Sequence, residues 1–243
     1  LVGDKRVAFS YDLPAMLYKY RRNTEMKPEI RALGIVLIGA FNPKIFHPYW
    51  MKSVGLLTDT EAGDSNVELS NNDISIFSTD WMRFEVTQQR LTIVSEQHPY
   101  FDRILDLTCE TFRMLRHTPI YVIGINHHYH YKFNSEDEWH KIGHTLAPKD
   151  CWSKIFKQPG MQRIEIVSPR EDNYKGQLLV RCENSKRFFP GIQIHLNDHY
   201  EIGEPKEIIS ADSMVEILEK QYSFSYKKSQ EVADVLLSCA ERD

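Results

Sequence analysis

The run from Pro119 to Phe133, PIYVIGINHHYHYKF, constrains this chain more than any other segment, because it alternates like a strand throughout and changes character midway. Successive side chains of a strand point to opposite faces. Asn126, His128, His130 and Lys132 therefore share one face, and Ile125, His127, Tyr129, Tyr131 and Phe133 share the other. Half of the strand belongs to a core, and the other half presents imidazoles and phenols. That is the pattern of a groove border, where a ligand, a metal or another chain lies.

The segments around it read as a mixed fold. Ala32 to Phe41 is an apolar run too short to cross a bilayer, and it reads as a buried strand over 35–41. Further strands are expected over 73–78, 82–86 and 91–94, the last two joined by a turn at Thr87 to Arg90. A meander is expected over 162–168, 177–182 and 192–200, with Gln193, His195, Asn197 and His199 outward on its last strand.

Helices are expected where the period lengthens to 3.6. Asn42-Pro43 caps one turn, Pro48 restarts it, and Thr58-x-x-Glu61 is a capping box. Phe101, Ile104, Leu105, Thr108, Phe112 and Leu115 form one stripe of a helix over 99–117. Ser135-x-x-Glu138 opens a short helix, and Ser213-x-x-Glu216 opens a long one reaching Cys239. The stripe of that last helix is Met214, Ile217, Phe224, Val232 and Val235, interrupted by Gln221 and Lys228. Its second half, 232–239, is expected either to extend the core or to dock on a partner. The fold class is thus α+β: a largely antiparallel sheet with helices packed on one face and a long C-terminal helix. Residues 1–25 read as an appendage or linker with the basic stretch Lys19, Arg21 and Arg22, and 26–243 as a single α+β domain.

Composition excludes several classes. With 42% hydrophobic and 26% charged residues the chain is an ordinary globular protein, and its net charge of −4 argues against a dedicated nucleic-acid binder. No basic-then-apolar leader is seen, and no membrane association is expected. Cys109, Cys151, Cys182 and Cys239 lack Cys-x-x-Cys spacing, which suits a reducing cytoplasm.

Catalytic signatures are sparse. There is no Gly-x-Ser-x-Gly elbow, no Walker loop and no dinucleotide fingerprint. Asp198 and His199 are adjacent on a strand and so face opposite ways, which argues against a shared acid–base role. One metal arrangement is open: His128 and His130 on the strand with His140 and His144 one helical turn apart, four neutral imidazoles of the kind zinc prefers. The helical pair lacks the glutamate of His-Glu-x-x-His, and no acidic residue with ligand spacing accompanies the strand pair.

Phe41-Asn42-Pro43-x-x-Phe46-x-Pro48-x-Trp50, Gly124-Ile125-Asn126 and Asn197-Asp198-His199-Tyr200 together resemble a sporadically distributed group of uncharacterised bacterial proteins, over about residues 30–240. The resemblance implies a bacterial accessory setting, such as a defence-linked gene set, and no activity.

The reading that follows is a cytoplasmic, non-enzymatic subunit that binds another protein or a peptide as an adaptor, sensor or chaperone-like component, without a cofactor. Its partner is expected to be encoded nearby, and a homo-oligomer is an open alternative. The binding residues expected are His128, His130, His195 and His199, with Tyr129, Tyr131 and Tyr222 as aromatic anchors. The competing class is a metalloenzyme built on the His128/His130 and His140/His144 region.

Overall fold

Strand β6 (Ile120–Lys132) realises the alternation of the histidine-bearing run, and it sits near the middle of a nine-stranded sheet. A computed structural model describes residues 26–204 and 210–239. The other strands are β1 (Ile30–Gly39), β2 (Asn66–Ser70), β3 (Ile74–Ser78), β4 (Arg83–Thr87), β5 (Arg90–Ser95), β7 (Arg163–Pro169), β8 (Lys175–Asn184) and β9 (Gly191–Glu201). Their order is β2-β3-β4-β5-β1-β6-β9-β8-β7, and every neighbouring pair is antiparallel. Strands β2 to β5 are sequential hairpins, whereas β1 is inserted between β5 and β6 by non-local pairing.

Five helices accompany the sheet among the described residues: α1 (Pro48–Ser53), α2 (Asp59–Gly63), α3 (Phe101–Met114), α4 (Glu136–Leu146) and α5 (Asp212–Cys239). All pack on one face, so the α+β architecture with a helix-covered antiparallel sheet and a long last helix stands. Leu33, Ile35 and Leu37 of β1 meet Ile123 and Ile125 of β6, Phe112 of α3 and Met214 and Leu218 of α5 in the main core. A second cluster joins Tyr129, Tyr131, Phe133, Ile192 and Ile194 to Ile142 of α4 and Ala233 of α5. The aromatic segment after β1 belongs to the first of these. Phe46 is fully buried and stacks on Phe84 with ring centroids 5.7 Å apart, while Tyr49 lies on the surface.

Several local signals hold as read. Thr58 and Glu61 form the expected reciprocal box, and Glu61 goes further: it accepts from Trp81 Nε1 at 2.8 Å and pairs with Arg103 at 2.7 Å, tying α2 to α3. Others differ. The stripe at 99–117 is helical only over Phe101–Met114, because His98–Tyr100 turns as a 3₁₀ helix around Pro99 and the chain leaves the α-conformation at Leu115. Helix α5 starts at Asp212, whose N–H is taken by Ser210 Oγ at 3.1 Å, so Ser213 lies inside the helix and does not cap it. Strand β2 has no buried residue and therefore no apolar alternation to announce it. The appendage expected over 1–25, with its basic stretch, lies outside the described residues.

Helix α5 decides how the histidine strand is used. Its inward stripe is Met214, Val215, Ile217, Leu218, Tyr222, Ser225, Ser229 and Ala233; Phe224 and Val235, expected inward, are exposed instead. The two serines answer polar groups on β6. His127 Nε2 and Ser225 Oγ are 3.0 Å apart, and Tyr129 OH and Ser229 Oγ are 2.6 Å apart. Four helical residues rise about 6 Å and two strand residues about 6.8 Å, so serines at i and i+4 meet strand residues at i and i+2. Ser229 donates its only proton to the Tyr226 carbonyl at 2.7 Å, which makes Tyr129 the donor of the shared bond. Tyr129→Phe is accordingly expected to cost about 1 kcal/mol, and Ser229→Ala more, because it strands a buried hydroxyl. Urea unfolding of both variants checks that order. The second half of α5 is committed as well: Ala233 is buried, and Leu236 and Leu237 pack on the second cluster.

Candidate functional site

The face of the sheet opposite the helices carries the residues that alternation places outward. The register sets Asn126 opposite Gly34 of β1 and Asn197 of β9, His128 opposite Ala32 and His195, and His130 opposite Ile30 and Gln193. No helix covers this face among the described residues. Its centre is a row of amides and imidazoles.

The row is held together by its own members. Gln193 Nε2 donates to His128 Nδ1 at 3.0 Å, and the His128 ring lies flat on the His195 ring, with centroids 4.1 Å apart and planes 3° from parallel. His195 Nε2 donates to Asn126 Oδ1 at 3.0 Å, and Asn197 Nδ2 donates to the same oxygen at 2.8 Å. Asn126 Nδ2 in turn donates to the Gly124 carbonyl at 3.1 Å. Because Nε2 of His195 carries the proton, its Nδ1 is an acceptor, and that atom is buried with no hydrogen-bond partner. Gly124 fits closely against this row: a Cβ there would meet Asn197 Nδ2 at 3.0 Å and Asn126 Nδ2 at 3.3 Å, so both amides would have to shift by a few tenths of an ångström.

Burial keeps these imidazoles neutral. It holds the His128 pKa down to about 3, with help from the neighbouring His195, and holds that of His195 down to about 4, with help from the Arg181 charge. His130 is lowered in the same sense by burial and by Arg187. What the row offers a ligand is therefore uncharged hydrogen-bonding groups on a rigid floor.

The remaining residues singled out from the sequence distribute differently. His130 lies on the outward face but is nearly buried, with Nδ1 2.9 Å from Ser185 Oγ. His199 is half-buried on the same face, its Nε2 3.9 Å from a Glu201 carboxylate oxygen. Tyr129, Tyr131 and Tyr222, expected as aromatic anchors for a partner, are instead all buried between sheet and helices, where Tyr129 bonds to Ser229. They anchor α5 and not a partner, because alternation puts the two β6 tyrosines on the covered face.

The four-histidine arrangement is not assembled. His128 and His130 lie on the uncovered face, whereas His140 and His144 lie on exposed positions of α4, which packs against the other. Their rings are 6.1 Å apart beside a shallow depression of about 580 Å³ lined by Asp137, Lys141 and Thr145. Among the described residues no three His, Cys, Asp or Glu side chains converge as metal ligands. Burial pushes the Cys109 and Cys182 thiols up to about 12, which leaves them protonated, and Cys151 is exposed.

One polar centre was not legible beforehand. On the covered face, the Arg170 guanidinium pairs with Asp198 and also donates through Nε to Asp172 Oδ1 at 2.9 Å. Tyr200 OH donates to Asp198 Oδ2 at 2.9 Å, and the guanidinium lies 3.8 Å over the Tyr200 ring. Arg170 and Asp198 are 2% and 1% exposed, so the pair locks the β7–β8 turn onto β9 and is closed to a substrate. Asp198 and His199 do face opposite ways, as alternation requires.

No described helix is long and apolar enough to cross a membrane. No protein-family model matches the chain, and no curated protein matches it either.

Proposed function

We propose that the chain is a non-enzymatic protein- or peptide-binding subunit, an adaptor, sensor or chaperone-like component of a bacterial accessory system, and that it binds through the outward face of β6 and β9. The observation that carries this reading is the row Gln193, His128, His195, Asn126 and Asn197, fixed by mutual hydrogen bonds on a sheet face that no described helix covers. Uncharged amides and imidazoles match the polar groups of a peptide main chain or of neutral side chains. Held in place before binding, they lose little conformational entropy on contact. Beside its imidazoles the row offers no serine or cysteine and no converging carboxylates, so association suits it better than bond cleavage.

The test is a peptide-array or display selection against the folded protein, followed by calorimetric titration of the selected peptides. The Asn126→Ala/His195→Ala variant should lose about tenfold or more in affinity while keeping most of its stability, since the row lies outside the main core. Undiminished binding by that variant would place recognition elsewhere. Turnover of a small substrate dependent on His128 would replace the binding reading with an enzymatic one.

A further inference from the structure

The two edges of the sheet are built differently. Strand β2 is short, its register against β3 shifts between Val67 and Leu69, and its Glu68 carboxylate is taken by Arg83. A bulge and an occupied charge are ordinary protections of an edge. Strand β7 has no bulge, although its Glu165 carboxylate is likewise taken, by Arg181. Its register with β8 is unbroken from Arg163 to Pro169, and Ile166 and Val167 are 59% and 49% exposed.

The direction of the free backbone groups follows from the ends of the β7–β8 ladder. Asn184 N donates to the Gln162 carbonyl at 3.4 Å, and Arg170 N donates to the Gly176 carbonyl at 3.2 Å. Antiparallel pairing alternates, so Ile164, Ile166 and Ser168 also direct their N–H and C=O groups at β8. Arg163, Glu165 and Val167 direct theirs at the open edge. Pro169, the next in that set, has no N–H and ends the usable stretch.

The side chains on this edge are complementary to themselves. On the uncovered face Arg163 stands opposite Glu183, and Glu165 stands opposite Arg181, to which it is bonded at 2.6 Å. We infer that β7 pairs antiparallel with β7 of a second copy, in the register that places Ile164 on the two-fold axis and Arg163 opposite Glu165 of the other copy. Charge then alternates across four strands: Glu183, Arg163, the second copy's Glu165, the second copy's Arg181. The two-fold axis repeats the same row in reverse. In this register each Arg163 and Glu165 exchanges both backbone hydrogen bonds with its opposite, Ile164 meets Ile164 at the close, non-hydrogen-bonded position, and Val167 meets Met161. Moving the axis to Glu165 sets that carboxylate against its own copy, and moving it to Ile166 sets Arg163 against Pro169, so charge selects one register among the neighbouring ones. The occupant is a second copy and not an arbitrary strand because both halves of the charge pattern are supplied by the same edge.

This surface is separate from the outward face of β6 and β9, so a monomer that still binds peptide leaves the proposed function standing and overturns only the dimer. The experiment is sedimentation velocity on the wild type, Arg163→Glu, Glu165→Lys and a one-to-one mixture of the two variants. Both substitutions are on exposed positions and should leave folding intact, which circular dichroism verifies. The wild type should dimerise in the micromolar range, more weakly at high salt. Each single variant sets like charges opposite one another at two symmetric places and should weaken the dimer about tenfold or more. The mixture should recover it as a heterodimer, in which the acid introduced in one chain faces the base introduced in the other. A wild-type monomer at high micromolar concentration, a dimer indifferent to both substitutions, or a mixture that fails to reassociate overturns the inference.

Discussion

Asp198→Ala is expected to lower stability by about 3–5 kcal/mol, because it leaves the Arg170 guanidinium buried without its partner. For a chain of this size that corresponds to a fall in melting temperature of roughly 6–20 °C. Arg170→Ala should be comparably damaging, since it strands the carboxylate and removes the cation from the face of Tyr200. Replacing both together by apolar residues of similar volume, Arg170→Met with Asp198→Leu, should recover most of the loss, because the pair's mutual attraction mainly offsets the desolvation of its two ions. Thermal unfolding of the three variants measures this. A single variant that melts with the wild type would show that water reaches the pair, and a double variant worse than either single would show that the hydrogen bonds to Asp172 and Tyr200 dominate the site.

The second large effect is a loss of stability in mild acid. Unfolded His127 takes up a proton near its ordinary pKa of 6.5, whereas burial holds the folded side chain neutral down to about 3. Below about pH 6.5 the unfolded state therefore binds the extra proton, and stability, complete above that pH, falls as the pH drops toward 3. The slope is about 1.4 kcal/mol per pH unit for each such histidine, so His127 alone costs about 2 kcal/mol by pH 5. His128 and His195 act in the same direction, with less weight because their face is half open to water. Denaturant midpoints at pH 7.5 and pH 5 should differ accordingly. His127→Gln, which keeps a hydrogen-bonding group toward Ser225, should flatten the dependence. Equal midpoints at the two pH values would show that the folded protein protonates these rings without opening.

Alternation along single strands was enough to sort the side chains of β6 and β9 by face. Period 2 follows from backbone geometry alone, so His128 was legible as sharing a face with Asn126, and His195 as sharing one with Asn197, before any pairing was known. The Thr58 and Glu61 box was legible for the same reason, since both partners lie within one helical turn. Strand β2 was not, because an edge strand with no buried residue leaves no apolar rhythm.

What only the tertiary structure decided is everything that depends on residues distant along the chain. The stacking of His128 on His195 requires β9 to return beside β6, and the bond to Asn126 requires both to be in one register. Tyr129 and Tyr131 looked available to a partner because a strand does not reveal which of its faces will be covered. They are buried because Ser225, Ser229 and Ala233 of α5 supply a matching stripe about 100 residues away. Arg170 was hidden in a turn rich in polar residues, and it became a buried cation only when β8 and β9 brought Asp198 beneath it. Local sequence determines periodicity, capping and the two faces of each element, because these arise from bonds and sterics between near neighbours. Which face is covered, and which polar groups find each other, is settled by the free energy of packing the whole chain.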